Sequence, residues 1–294
     1  TKKQLYDINQ ASLKDAIIIF GGGCTGEIVS SKGLIFTNHH CGYGAIAAAS
    51  SVENNYLRDG FYAKNNQEEI QTSLSVQFLV RIEDVTQEVM DSLKGLSGVD
   101  RVRKQAAVLA AINKRLSDAT NSIETRISPL FKGNQFLAFV YQRYNDVRLV
   151  GTPPESVGKF GGDTDNWEWP RHTGDFSVFR VYMSPDGKPA KYDAKNVPFQ
   201  PKWYLPVSLR PLKDGDFAMI WGYPGSTNRY ESSFGIKLST DINNPTLVKL
   251  RDARLKFMFE EMKNDPKVKL QLASSYAGIA NYWKFFDGET KQLL

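Results

Sequence analysis

The residues best suited to chemistry lie in the run Phe36-Thr37-Asn38-His39-His40-Cys41-Gly42. Two of the chain's three histidines stand there beside one of its two cysteines. Imidazole titrates nearest neutrality of all side chains, so a histidine fixed in a cleft can take a proton and return it. Cys24 is the other cysteine, and from spacing the two thiols could be a disulfide, metal ligands or separate core residues. Zinc would need two further ligands, and Cys24 to Cys41 is far wider than a Cys-x₂₋₄-Cys pair, so no metal is expected.

A histidine base needs a carboxylate to hold its tautomer and stabilise the imidazolium. The richest supply is the loop from Gly161 to Phe176, with Asp163, Asp165, Glu168 and Asp175, together with Trp167, Trp169 and the third histidine, His172. Asp175 is favoured because it sits just before an apolar strand, and a strand-anchored side chain is better held than one in mid-loop. Asp163 and Asp165 remain open, and solvated loop acids are the plain alternative for all of them.

Short β-rich runs position these residues. Ala16 to Phe20, Cys24 to Val29 and Leu34 to Thr37 are separated by Gly and Ser clusters, which suits an antiparallel barrel. Ser75 to Ile82, Gln135 to Tyr141, Val147 to Val150 and Phe176 to Met183 read as further strands. Residues 99–119 have helical spacing through Val102, Ala106, Leu109 and Ile112, and form a helical insertion. From about Asn243 the texture turns helical, with Pro245 as a first-turn residue. Asp265-Pro266 breaks that helix, and a second runs from about Lys267 to Phe286. The fold class is therefore mainly β with a helical insertion: a β-barrel domain over residues 1–230, then the start of an α-helical domain over 231–294.

The histidine segment resembles chymotrypsin-like peptidases, where the catalytic base ends a strand just before a cysteine bridged to the preceding strand. The resemblance implies a Cys24–Cys41 disulfide. Closing a loop of that size is worth about 3 kcal/mol, less any strain. It also selects His40, next to the cysteine, as the base. Side chains alternate across a strand, so His39 would be structural. Five segments in order along the chain are similar to the bacterial dipeptidyl-peptidase 7 and 11 family: Gly22 to Glu27, Thr37 to Tyr43, Asp165 to Asp175, Trp221 to Gly225 and Ile279 to Phe285. That family implies a chymotrypsin-like double barrel capped by a helical domain, and a serine exopeptidase that releases dipeptides through an acyl-enzyme. Carried over residue by residue, His40 and Asp175 would be catalytic. Asn166, Trp167 and Asn281 would hold the free N-terminus of an oligopeptide substrate. The nucleophilic serine is expected in a second barrel beyond this chain, which would then be an inactive fragment by itself. Ser226 is set aside as nucleophile.

The chain has 294 residues, 41% hydrophobic and 23% charged, with a formal charge of +5. This is ordinary globular composition. Lys and Arg are interspersed with acids and no nucleic-acid motif is present, so no nucleic-acid partner is expected. No apolar run approaches the roughly 20 residues of a membrane span. No cofactor is implied. A disulfide would place the protein in an oxidising compartment, the periplasm or cell surface of a Gram-negative bacterium; the resemblance implies a homodimer. A non-catalytic peptide-binding homologue is the alternative, and hydrophobic and acidic side-chain preferences both stay open.

Overall fold

The computed structural model describes residues 1–226 and 230–294. Its strands are β1 (Ile17–Phe20), β2 (Cys24–Ile28), β3 (Leu34–Thr37), β4 (Phe61–Tyr62), β5 (Ile70–Gln71), β6 (Val76–Asp84), β7 (Ile123–Leu130), β8 (Gln135–Tyr144), β9 (Asp146–Thr152), β10 (Ser177–Met183) and β11 (Val197–Pro198). They make a large antiparallel sheet accompanied by helices. Cys24 and Cys41 are joined in a disulfide. Among the described residues, no helix is long and apolar enough to cross a membrane.

The chain folds into two compact units. The first comprises residues 1–36, 73–148 and 179–223, and the second residues 37–72, 149–178 and 224–294.

In the first unit the strand order is β10-β3-β2-β1-β6-β8-β7, with β11 on β10. Ile17 to Phe20 are all buried, which a central strand covered on both faces demands. Ile19, Leu79 and Tyr141 join across β1, β6 and β8 in one apolar cluster. Gly33 turns the chain between β2 and β3 at φ +64°, and a Cβ there would lie 3.0 Å from the carbonyls of Val181 and Phe199. The helical insertion is the helix Gly98–Leu116. Ile112 packs with Val85, Val89, Leu93, Phe136 and Ala138, so this helix and the preceding Thr86–Ser92 cover β8. β7 escapes the sequence pattern because its apolar and polar residues alternate weakly around Pro129.

In the second unit, β4 and β5 pair with β9. Two long helices follow, Asn244–Asn264 and Pro266–Leu293. Asp265 ends the first and caps the second, its Oδ1 accepting from Lys267 N at 2.7 Å. The second helix runs beyond the expected Phe286 to Leu293. The helix His39–Ala49 packs on it so closely that a Cβ on Gly44 would stand 3.1 Å from Ser274 Oγ.

That helix corrects one expectation. The sequence pattern places His39 and His40 at the end of a strand, but β3 stops at Thr37 and a helix begins at His39. Asn38 is the N-cap residue, and the alanines at 45 and 47–49 are strong helix formers. The two histidines still face different ways, because neighbours on a helix are separated by about 100°.

Candidate active site

The site is built in the second unit, on the first turn of the His39–Ala49 helix and the segment leading into β10. Asp175 carries the acid. Its Oδ2 lies 2.7 Å from His40 Nδ1, and its Oδ1 accepts from the His40 backbone N–H at 3.0 Å. One carboxylate therefore orients the imidazole and satisfies a helix N-terminal amide, where negative charge is favoured. The side chain of the N-cap residue is directed at the acid instead of at its own helix. Asn38 Nδ2 donates to Asp175 Oδ2 and to its main-chain oxygen, both at 3.2 Å. Ser177 Oγ donates to Asn38 O at 2.9 Å and ties the helix start to β10. Burial pushes the Asp175 carboxyl up, but the hydrogen bonds from the His40 ring and backbone outweigh it and hold the carboxyl below its usual range. With Nδ1 engaged by a carboxylate, Nε2 of His40 is the atom left to accept a proton. The ring is open to approach, with 69% of its side-chain surface exposed.

His39 differs in every respect. It is 1% exposed, stacks edge-on against Tyr43 with ring centres 5.6 Å apart, and leaves Nε2 without a partner. Burial lowers its pKa against the opposing pull of Asp175 and Glu155. Gly158 makes room for it: a Cβ there would lie 2.4 Å from the ring. Tyr43 in turn donates to Glu155 Oε1 at 2.9 Å; burial and that carboxylate keep its phenol protonated.

A cavity of about 750 Å³ opens beside His40 and Asp175, and Asn166, Trp167 and Asn281 line it. Asn166 Nδ2 donates to Asn281 Oδ1 at 2.8 Å, and Trp167 Nε1 donates to Asn281 O at 3.1 Å. Trp167 sits at φ +62°, a region bulky residues rarely adopt and one found at ligand clamps. Its indole rests on Phe285, with centroids 5.0 Å apart. Lys284 bridges Glu168 at 3.3 Å and donates to the carbonyls of Asp163 and Thr164, which fastens the loop to the long helix.

All five site residues expected from sequence, His40, Asp175, Asn166, Trp167 and Asn281, thus line one cavity. Of the other acids, Asp163 pairs with Lys159 at 3.1 Å. Three supporting residues are not evident from sequence: Asn38, Arg171 and Lys284. An asparagine before a helix is a recognised cap, so Asn38 becomes legible once the helix is seen. The sequence also holds Gly95-Leu96-Ser97-Gly98, the bare Gly-x-Ser-Gly string of a nucleophile turn, which the motif reading passes over. Ser97 is the exposed cap residue of the Gly98–Leu116 helix in the first unit, whereas all three histidines belong to the second. Ser226 is likewise exposed.

Comparison with known proteins gives this arrangement a family. The model of the family Peptidase S46 matches residues 1–294. The chain belongs to peptidase family S46. Dipeptidyl-peptidase 7 of Capnocytophaga gingivalis is 48% identical over 97% of this S46 chain, and 40% of that relative is covered. The Asp/Glu-specific dipeptidyl-peptidase of the same organism is 44% identical over 100% of the chain and is covered to 41%. The crystal structure of Porphyromonas endodontalis DPP11 with the dipeptide Arg-Asp superposes with a TM-score of 0.91 at 39% identity, covering 99% of this chain and 43% of that one. The S46 chain therefore spans about two-fifths of the length of these relatives.

Proposed function

We propose that this chain is the histidine- and aspartate-bearing part of a serine dipeptidyl-peptidase, which releases dipeptides from the free N-terminus of oligopeptides. The observation that carries this reading is the exposed His40 ring held by Asp175 at 2.7 Å on the wall of a cavity that also holds Asn166 and Asn281. His40 Nε2 takes the proton of a serine hydroxyl supplied by the rest of the peptidase, and the serine oxygen attacks the scissile carbonyl. The same proton then goes to the leaving amine, and water hydrolyses the acyl-enzyme. Asp175 holds the Nδ1–H tautomer and stabilises the imidazolium.

Asn166, Trp167 and Asn281 hold the substrate's α-ammonium. A buried ammonium needs acceptors, and amide or carbonyl oxygens provide them. Fixing the amine at a set distance from His40 makes the enzyme count two residues and reject internal bonds. In this reading residues 1–230 belong to a chymotrypsin-like barrel domain and 231–294 begin the helical cap; the serine lies in a second barrel outside this chain, which has no turnover alone. The disulfide supports a periplasmic or cell-surface location, and the complete protein works as a homodimer without a cofactor.

The test is hydrolysis of dipeptidyl-coumarins by the complete gene product, with free or blocked amines. Cleavage of the free-amine set alone is expected. Failure of folded protein to cleave either set overturns the reading in favour of a peptide-binding homologue.

A further inference from the structure

The hydrogen bonds around the two cavity amides all run one way, and they start at Arg171. Arg171 donates from NH1 to Asn166 Oδ1 at 2.8 Å and from Nε to Thr173 Oγ1 at 2.8 Å. Thr173 then donates its hydroxyl to Phe160 O at 2.8 Å. Asn166 Nδ2 donates to Asn281 Oδ1, also at 2.8 Å.

We infer that Arg171 is a positioning residue that sets the sense of both amides, so that Asn281 presents an oxygen to the substrate's amine. This rests on the reading of Asn166 and Asn281 as the amine site. A guanidinium has donors and no acceptor, so only the oxygen of Asn166 can face it. That leaves the NH₂ of Asn166 for Asn281, and an amide NH₂ can meet only an oxygen. The polarity of the second amide thus follows from that of the first.

Nothing else in the pair fixes it. If both amides turned over together, one hydrogen bond would still join them, but Asn281 would offer NH₂ where it now offers oxygen. The Trp167 indole holds the main chain of Asn281 and is indifferent to the orientation of its side chain. An ammonium is also donor-only, so it binds the arrangement with oxygen exposed and is repelled by the reverse. Asn281 Oδ1 has a second lone pair free for it. The relay has another merit: Arg171 acts from the far side of Asn166, so its positive charge stays one residue away from the substrate's own.

The experiment uses the complete S46 peptidase and two competitive ligands, a free-amine dipeptide and its desamino analogue. Wild-type protein is expected to bind the free-amine ligand more tightly. In Arg171→Met that preference falls by about tenfold or more, while affinity for the desamino analogue changes less than about twofold. KM for a free-amine substrate rises more than kcat falls. Arg171→Lys, which keeps a donor and no acceptor, restores the preference to within about threefold. An unchanged preference in Arg171→Met overturns the inference, and so does an equal loss of both ligands, which marks a merely structural role. Should Arg171→Met fail to fold, Arg171→Gln decides: glutamine can meet Asn166 with either end, so the preference falls in part, and full retention overturns the proposal. Equal binding of both ligands by wild-type protein overturns the amine-site reading itself, and this inference with it.

Discussion

Asp175 holds His40 with a charge, whereas Asn166 holds Asn281 without one. The first pair stands where a strand begins and a helix starts, two rigid elements joined by Ser177, Asn38 and the carboxylate. The second pair joins a loop residue to a long helix, and its loop is kept in place by Lys284 and by the Trp167 indole. On the proposed reading, the difference follows from what each pair must do. A group that must change its charge during a reaction needs a neighbour that stabilises the charged form, whatever the exact angle. A group that must recognise a fixed charge needs its oxygen in the right place.

Substitutions separate these two kinds of positioning, and each figure refers to the complete protein. His40→Ala removes the proposed proton carrier, and kcat is expected to fall by about 10⁶ with the melting temperature little changed. Retained turnover would end the catalytic assignment. Asp175→Asn keeps the shape but offers an NH₂ or a neutral oxygen to the ring, so kcat falls by about 10⁴ in a steady-state assay. Asn281→Ala sharpens the contrast: kcat/KM for free-amine substrates falls by about 10- to 100-fold, mostly through KM, because a binding contact is lost and the dyad stays intact. A loss confined to kcat would merge the two regions into one.

The support beneath the dyad gives smaller effects. Gly158→Ala drives a Cβ into the His39 ring, 2.4 Å away, and is expected to cost about 1–3 kcal/mol in denaturant unfolding. His39 and Asp175 also divide the acid stability profile. The folded pKa of His39 is lowered, so the unfolded chain binds its proton first. Stability on this account is full above about pH 6.5 and declines below it, by no more than about 2 kcal/mol at pH 5. Asp175 is also lowered, so its contribution is complete above the usual carboxylate range and is lost only as pH falls below that. Thermal melts of His39→Gln should flatten the first step and leave the second.

Much of this was legible in the sequence, for definite reasons. The β-branching of Ala16 to Phe20 and the 3–4 spacing of apolar residues after Asn243 mark elements through local pattern, and both are present. The pairing of His40 with Asp175 was legible because histidines are few and Asp175 precedes a strand. The helix at His39 was not, because Leu34 to Thr37 reads smoothly into the next residues and only the Asn38 cap signals the change. Arg171, Lys284 and Gly158 were hidden for another reason. Arg171 meets Asn166 across an irregular loop that no periodic pattern describes, while the partners of Lys284 and Gly158, Glu168 and His39, are distant in sequence.

The two grips of Asp175 on His40 have a consequence for when the base acquires its orientation. Its ring bond and its main-chain bond share one carboxylate, so the imidazole is aligned by the same group that holds the helix start. Rotational freedom is surrendered once, as the chain folds, and no part of it has to be surrendered again in each turnover. On the proposed reading the helix start is then a permanent jig for the proton carrier, and loosening of that first turn should be visible as slower chemistry before it is visible as lost structure.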